Sequence, residues 1–206
     1  AVTLAVENLR SGACDMALAG GAHLVLAPES TIYLCRMRAL SPSGRCHTFG
    51  AEADGYARGE GAVVFLLKRL STAQRDGDPI LAVIRGAAVN HDGRSSGLTV
   101  PNPAAQRAVI EAALANGGVE ASQVDYIEAH GTGTPLGDPI ELRALSDALG
   151  RKREADDPLL VGSVKTNFGH LEAAAGAAGL LKLVLSLQHG ELPPHLNCDE
   201  LTPHVD

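Results

Sequence analysis

The chain has 206 residues, 45% hydrophobic and 20% charged, a composition that builds a packed core rather than a disordered chain. A formal net charge of -7, with 3% aromatics and no Trp, argues against nucleic acid as a partner, since there is neither a basic stripe nor much stacking surface. Residues 16–27 are too short to span a bilayer and the last apolar helix is interrupted by Lys182, so no membrane segment is expected.

In chain order, residues 1–12 place Leu4, Val6 and Leu9 near helical spacing, with Gly12 as the stop. No N-cap is visible, so the chain reads as starting inside this helix. Residues 14–26 are apolar around Gly20-Gly21 and suit a buried strand with a close backbone approach. Residues 28–48 read as loop, with Ser41-Pro42-Ser43-Gly44 as a turn, and residues 62–68 as a second buried strand. The polar run 74–79 looks like a linker. Beyond it, residues 80–90 read as a strand, and Asn102-Pro103 starts a helix that stops at Gly117-Gly118.

Residues 124–130 read as a strand. Asp138-Pro139-Ile140-Glu141 has the form of a helix start, with an acid at the N-cap, Pro at N1 and Glu at N3. Leu142, Leu145 and Leu149 follow at helical spacing up to Gly150. The basic cluster Arg151-Lys152-Arg153, trailed by Glu154, Asp156 and Asp157, reads as a solvated loop. Residues 159–164 are a strand, and residues 171–188 a helix apolar nearly all round, hence central, closed by His189 and Gly190. Strands alternating with helices, most of the strands apolar on both faces, give an α/β class with helices covering a mixed sheet. No short repeat is visible.

Two segments stand out chemically. Glu128-Ala129-His130-Gly131-Thr132-Gly133-Thr134-Pro135-Leu136-Gly137-Asp138 and Gly162-Ser163-Val164-Lys165-Thr166-Asn167-Phe168-Gly169-His170 each put a titratable group where an apolar strand gives way to a glycine-punctuated turn. A lone strand-end histidine is usually satisfied by a backbone partner, but the threonines flanking His130 can converge on an amide-bearing ligand. His130, His170 and Lys165, with no acid read beside them, suit stabilisation of an oxyanion or enolate. Metal is disfavoured, because His-x-x-x-His and His-Glu-x-x-His spacings are absent. His91-Asp92-Gly93 reads as a turn, and Arg58 as a structural ion pair with Glu60 or Asp54. Cys14, Cys35, Cys46 and Cys198 form no C-x-x-C pair and fit reduced thiols in a cytoplasmic protein. Cys46, between Arg45 and His47, is the least bland, but its loop context is a poor one and no cysteine has a cationic setting marked strongly enough to predict a thiolate; the start of the chain lacks a signal-peptide n-region.

These segments, with Leu40-Ser-Pro-Ser-Gly-Arg-Cys-His-Thr-Phe49 and Ala53-Asp-Gly-Tyr-Ala-Arg-Gly-Glu-Gly61, resemble the ketosynthase domain of modular type I polyketide synthases over essentially the whole chain. The resemblance implies a thiolase-like fold, an α-β-α-β-α layered sandwich, here incomplete. Residues 1–75 would be the C-terminal part of the family's N-terminal half, and residues 79–206 its C-terminal half, cut at the end. It implies decarboxylative Claisen condensation of an acyl thioester with a malonyl-type unit on an acyl carrier protein. No cofactor is bound directly; the phosphopantetheine arm of the carrier brings the substrate. Neighbouring synthase domains and a homodimer are the expected partners. His130 and His170 match the histidines that hold the thioester oxygen, Lys165 the lysine supporting them, and Thr132 and Thr134 the hydroxyls on the phosphopantetheine arm. By register the family's acyl-accepting cysteine would precede Ala1, and its last glycine-rich segment would follow Asp206. Gly50 stands where the family usually has Asp. The alternatives are a malonyl-thioester decarboxylase and a non-catalytic structural piece of a megasynthase.

Overall fold

The computed structural model describes residues 1–95, 97, 100–150 and 157–204. Helix α1 (Val2–Ser11) buries Ala5, Val6 and Leu9, and Gly12 ends it in the left-handed conformation that favours glycine. Strand β1 (Met16–His23) pairs antiparallel with β2 (Gly61–Lys68), from Met16 opposite Lys68 to His23 opposite Gly61. Gly20 is required at this pairing, because a Cβ there would lie 2.1 Å from the Val63 carbonyl oxygen.

Between the strands lies helix α2 (Pro28–Arg36), where the sequence suggested loop. Pro28 near its N-terminus and Glu29 in its first turn favour the helix, and none of its residues is buried, so no apolar stripe announced it. Helix α3 (Leu70–Asp76) takes up the start of the expected linker and stops at left-handed Gly77.

Residues 80–90 form no strand among the described residues. The apolar run is there, but the backbone finds side-chain partners instead. The Leu81 carbonyl accepts from Gln188, the Arg85 carbonyl from Arg10, and the Ala87 amide donates to Asn116. Helix α4 (Pro103–Gly117) starts as expected, with the Asn102 side chain accepting from the amides of Ala104 and Ala105.

A second, parallel pair holds the chemistry. Strand β3 (Tyr126–Glu128) lies beside β4 (Leu160–Gly162), with Glu128 opposite Gly162. Helix α5 (Gly137–Leu145) crosses between them and continues as a π-helical turn, Ser146–Gly150. Phe49, Ala129, Leu145 and Leu149 form the core beneath, packed by Ile110, Leu114, Ile127 and Val161. The Arg151-Lys152-Arg153 cluster lies outside the described residues.

One helical turn, α6 (Lys165–Phe168), follows β4, and then comes α7 (Ala175–His189). Helix α7 touches β1, β2 and β3 and so is central. It is not buried all round: Ala175, Ala178, Gly179 and Lys182 face inward, while Leu185 and Leu187 face solvent.

Candidate active site

His130 leaves the end of β3 at a point where the backbone is pinned from below. The Ala129 amide donates to the Gly162 carbonyl at 2.8 Å, and the amides of His130 and Gly131 donate to the two Glu141 carboxylate oxygens, each at 2.7 Å. One turn earlier on α5, Asp138 is 1% exposed and accepts from the amides of Phe49 at 2.8 Å and Gly133 at 3.1 Å. Neither acid caps α5, contrary to the sequence reading: the helix starts at Gly137 after Leu136, with no side-chain cap. The carboxylates turn back to gather the loop's amides instead. Burial raises the pKa of each, and the amides they gather pull it down. The loop turns this tightly because Gly131 and Gly133 hold φ of 43° and 79°. A Cβ on Gly131 would sit 2.5 Å from Thr48 Cγ2. Thr132 and Thr134 face each other, with hydroxyl oxygens 3.3 Å apart.

The other wall grows from β4. Lys165 begins α6 and is 4% exposed. Burial lowers its pKa, opposed by the charges of Glu141 and Glu128. So the lysine does have acids beside it, a correction to the sequence reading. Glu128, on β3, accepts the Val164 amide, which fixes the residue just before Lys165. Glu128 is itself paired with Lys182 of α7 at 2.8 Å, and Lys182 donates to the Tyr126 hydroxyl at 2.7 Å. Burial, followed by the Glu128 charge, raises the Tyr126 pKa. Lys182 was legible as an interruption of an apolar helix; that a buried ammonium requires a partner was the signal that Glu128 or a similar acid faced it.

His170 follows left-handed Gly169 and is held by its backbone. Its amide donates to the Ala57 carbonyl at 2.7 Å, and its carbonyl accepts from Gly59 at 2.9 Å. Its ring Nδ1 accepts the Glu172 amide at 2.8 Å. A neutral imidazole that accepts at Nδ1 carries its proton on Nε2, so His170 is presented as a donor.

The structure brings the two histidines together: their ring centroids are 5.3 Å apart at 84°, edge to face. Burial and the Lys165 charge lower both pKa values to about 4, with the His130 charge adding to the effect on His170. His130 is an exposed residue, which moderates its burial penalty; the Lys165 charge acts in the same downward direction. At neutral pH the site therefore offers two uncharged imidazoles backed by one buried lysine. That set can donate hydrogen bonds to an oxygen that gains negative charge.

Other expectations resolve differently. Arg58 pairs with Glu172 at 2.8 Å, not with Glu60 or Asp54; Glu60 instead accepts the Val25 amide. The Gly93 amide donates to His91 Nδ1 at 2.9 Å. Cys46 is 1% exposed and its Sγ accepts the Ala57 amide, and burial raises its pKa. Among the described residues, no cysteine Sγ hydrogen-bonds to either imidazole, and no group of three His, Cys, Asp or Glu side chains is placed to hold a metal ion.

His130 follows the end of β3, His170 follows the helical turn after β4, and α7 packs on both sheets, an arrangement of the thiolase-like fold. The oxazolomycin ketosynthase domain OzmH KS7 of Streptomyces albus JA3453 superposes with a TM-score of 0.95 at 44% identity, over 100% of this chain and 36% of that one. The ketosynthase from module 6 of the bacillaene synthase of Bacillus subtilis 168 gives 0.95 at 40% identity, over 100% and 37%. The model of the beta-ketoacyl synthase N-terminal domain matches residues 1–73, and that of the C-terminal domain matches residues 81–199. The chain belongs to the beta-ketoacyl synthase family. It is 58% identical over 205 residues to a polypeptide of the phenolphthiocerol/phthiocerol polyketide synthase of Mycobacterium tuberculosis, covering 100% of this chain and 11% of that polypeptide. It is 54% identical to erythronolide synthase EryA2 of Saccharopolyspora erythraea, covering 100% and 6%. The chain thus spans about a tenth or less of these relatives' length and about a third of the solved ketosynthase chains.

Proposed function

We propose that these residues supply the enolate-stabilising half of a polyketide ketosynthase site. The observation that carries the reading is the pair of neutral imidazoles at 5.3 Å with Lys165 behind them. A malonyl-type thioester on the phosphopantetheine arm of a carrier protein places its carbonyl oxygen between the two rings. Its C–CO2 bond breaks, CO2 leaves, and the electron pair passes into an enolate whose oxygen His130 and His170 hold by hydrogen bonds. The enolate carbon then attacks an acyl thioester, and that thioester's sulfur leaves as thiolate. None of Cys14, Cys35, Cys46 or Cys198 bonds to the rings, so the acyl-bearing thiol is assigned to another segment of the ketosynthase. Thr132 and Thr134, 3.3 Å apart beside His130, are suited to the amides of the arm.

The test uses the natural polypeptide that contains this sequence, with a malonyl thioester and an acyl donor. The expected result is CO2 release coupled to ketide formation. CO2 without ketide would replace condensation by simple decarboxylation, and neither product would end the reading.

A further inference from the structure

We infer that Arg58 is a positioning residue for His170, acting through Glu172. Glu172 has φ of 43°, a left-handed conformation that a β-carbon makes costly. In the same turn its amide donates to His170 Nδ1, at 2.8 Å. A turn closed by the Ala175 amide on the Glu172 carbonyl holds the backbone, and the carboxylate is held from outside as well. Arg58 makes the closer contact, with Nε donating to Glu172 Oε1 at 2.8 Å, while His23 Nε2 lies 3.5 Å from Oε2.

The guanidinium is itself fixed on its other edges. Nη1 donates to Ser30 Oγ at 2.9 Å and to Thr31 Oγ1 at 2.7 Å, both on α2. Nη2 lies 3.4 Å from His23 Nε2, at the end of β1. The Arg58 side chain is 9% exposed and that of Glu172 30%, so water reaches the pair from the carboxylate side only in part. The backbone of Arg58 is bridged in parallel to His170. One residue therefore sets the histidine's main chain directly and its ring tautomer through an ion pair. Without the clamp Glu172 relaxes to negative φ, its amide leaves Nδ1, and His170 is free to place its proton on the wrong nitrogen.

The inference rests on the reading of His170 as an oxyanion donor, and its test separates the two. In the natural polypeptide, Arg58→Met and Glu172→Ala should each slow malonyl-thioester decarboxylation about 10-fold, the scale for losing a group that orients a functional imidazole. Glu172→Gly should lose less than Glu172→Ala, because glycine adopts the left-handed backbone unaided. Adding Arg58→Met to Glu172→Gly should then cost nothing further, and Arg58→Lys should recover part of the loss. A structure of the Arg58→Met protein should show Glu172 at negative φ with its amide withdrawn from Nδ1. A double variant as slow as Arg58→Met would overturn the clamp. So would an Arg58→Met structure that keeps Glu172 left-handed on Nδ1, and this readout decides even if the wild type releases no CO2. That last failure would instead remove the condensing reading.

Discussion

His170 shows most directly how a side chain becomes a dedicated donor. Its Nδ1 is occupied by the Glu172 amide, so protonating the ring would set one N–H against another. Burial and the charges of Lys165 and His130 already bring its pKa to about 4. Two outcomes follow from the neutral pair. His130→Ala or His170→Ala in the natural polypeptide should cut decarboxylation by about 10²-fold or more, as for loss of one oxyanion donor, while loading of the acyl group falls less. The acid limb of decarboxylation should stay flat as pH falls through 6.5 and drop only towards about 4, measured as CO2 release across pH. Stability carries the same sign. The unfolded chain takes up these protons near pH 6.5 and the folded one near 4, so the contribution is full above 6.5 and lost as pH falls through that window. The histidines, Lys165 and the two threonines were legible because glycine turns isolate them at strand ends. Their supporting acids were not. Asp138 and Glu141 occupy positions that also suit a helix cap, and only the three-dimensional path of the loop decides which amides they take.

Elements were legible where a local rule acts alone. Helix α4 has a side-chain cap and a glycine stop, and both are present in the fold. Residues 80–90 failed because a strand exists only with a partner strand, and no local pattern supplies one. Helix α7 was read as central from its apolar circumference, yet its most informative residue is its charge. Lys182 and Glu128 have side chains only 6% and 5% exposed, and they tie α7 to β3 and, through the Val164 amide, to the start of α6. Lys182→Met should leave a buried carboxylate without its cation and destabilise the fold by about 3–5 kcal/mol. Adding Glu128→Gln should recover much of that loss, since a neutral amide oxygen still accepts the Val164 amide. The measurement is the urea midpoint of each variant; equal midpoints for the wild type and Lys182→Met would show that the pair contributes no net stability.

At the scale of the whole molecule, the two sheets differ in what covers them. The parallel pair sits under α4, α5 and the Phe49 core. The antiparallel pair is covered on one face, where Ala19 is 5% exposed and α7 packs. On the other face Met16, Leu18, Val64 and Leu66 point outward, and Leu18 and Leu66 are 74% and 65% exposed. Register places Leu18 directly opposite Leu66, so these side chains form one continuous strip rather than scattered exposures. Each strand also has one edge without a strand partner among the described residues, which leaves backbone groups open to pairing. Burying a leucine of this kind is worth about 1.5–3 kcal/mol, so two copies of the strip gain by meeting. Prepared as 206 residues alone, the chain should self-associate at micromolar concentration, seen as broad, concentration-dependent species by size exclusion with light scattering. Leu18→Lys with Leu66→Glu puts an opposite-charge pair at that cross-strand position and should shift the chain towards monomer. A wild-type chain that runs as a sharp monomer at every concentration would show that this face needs no cover.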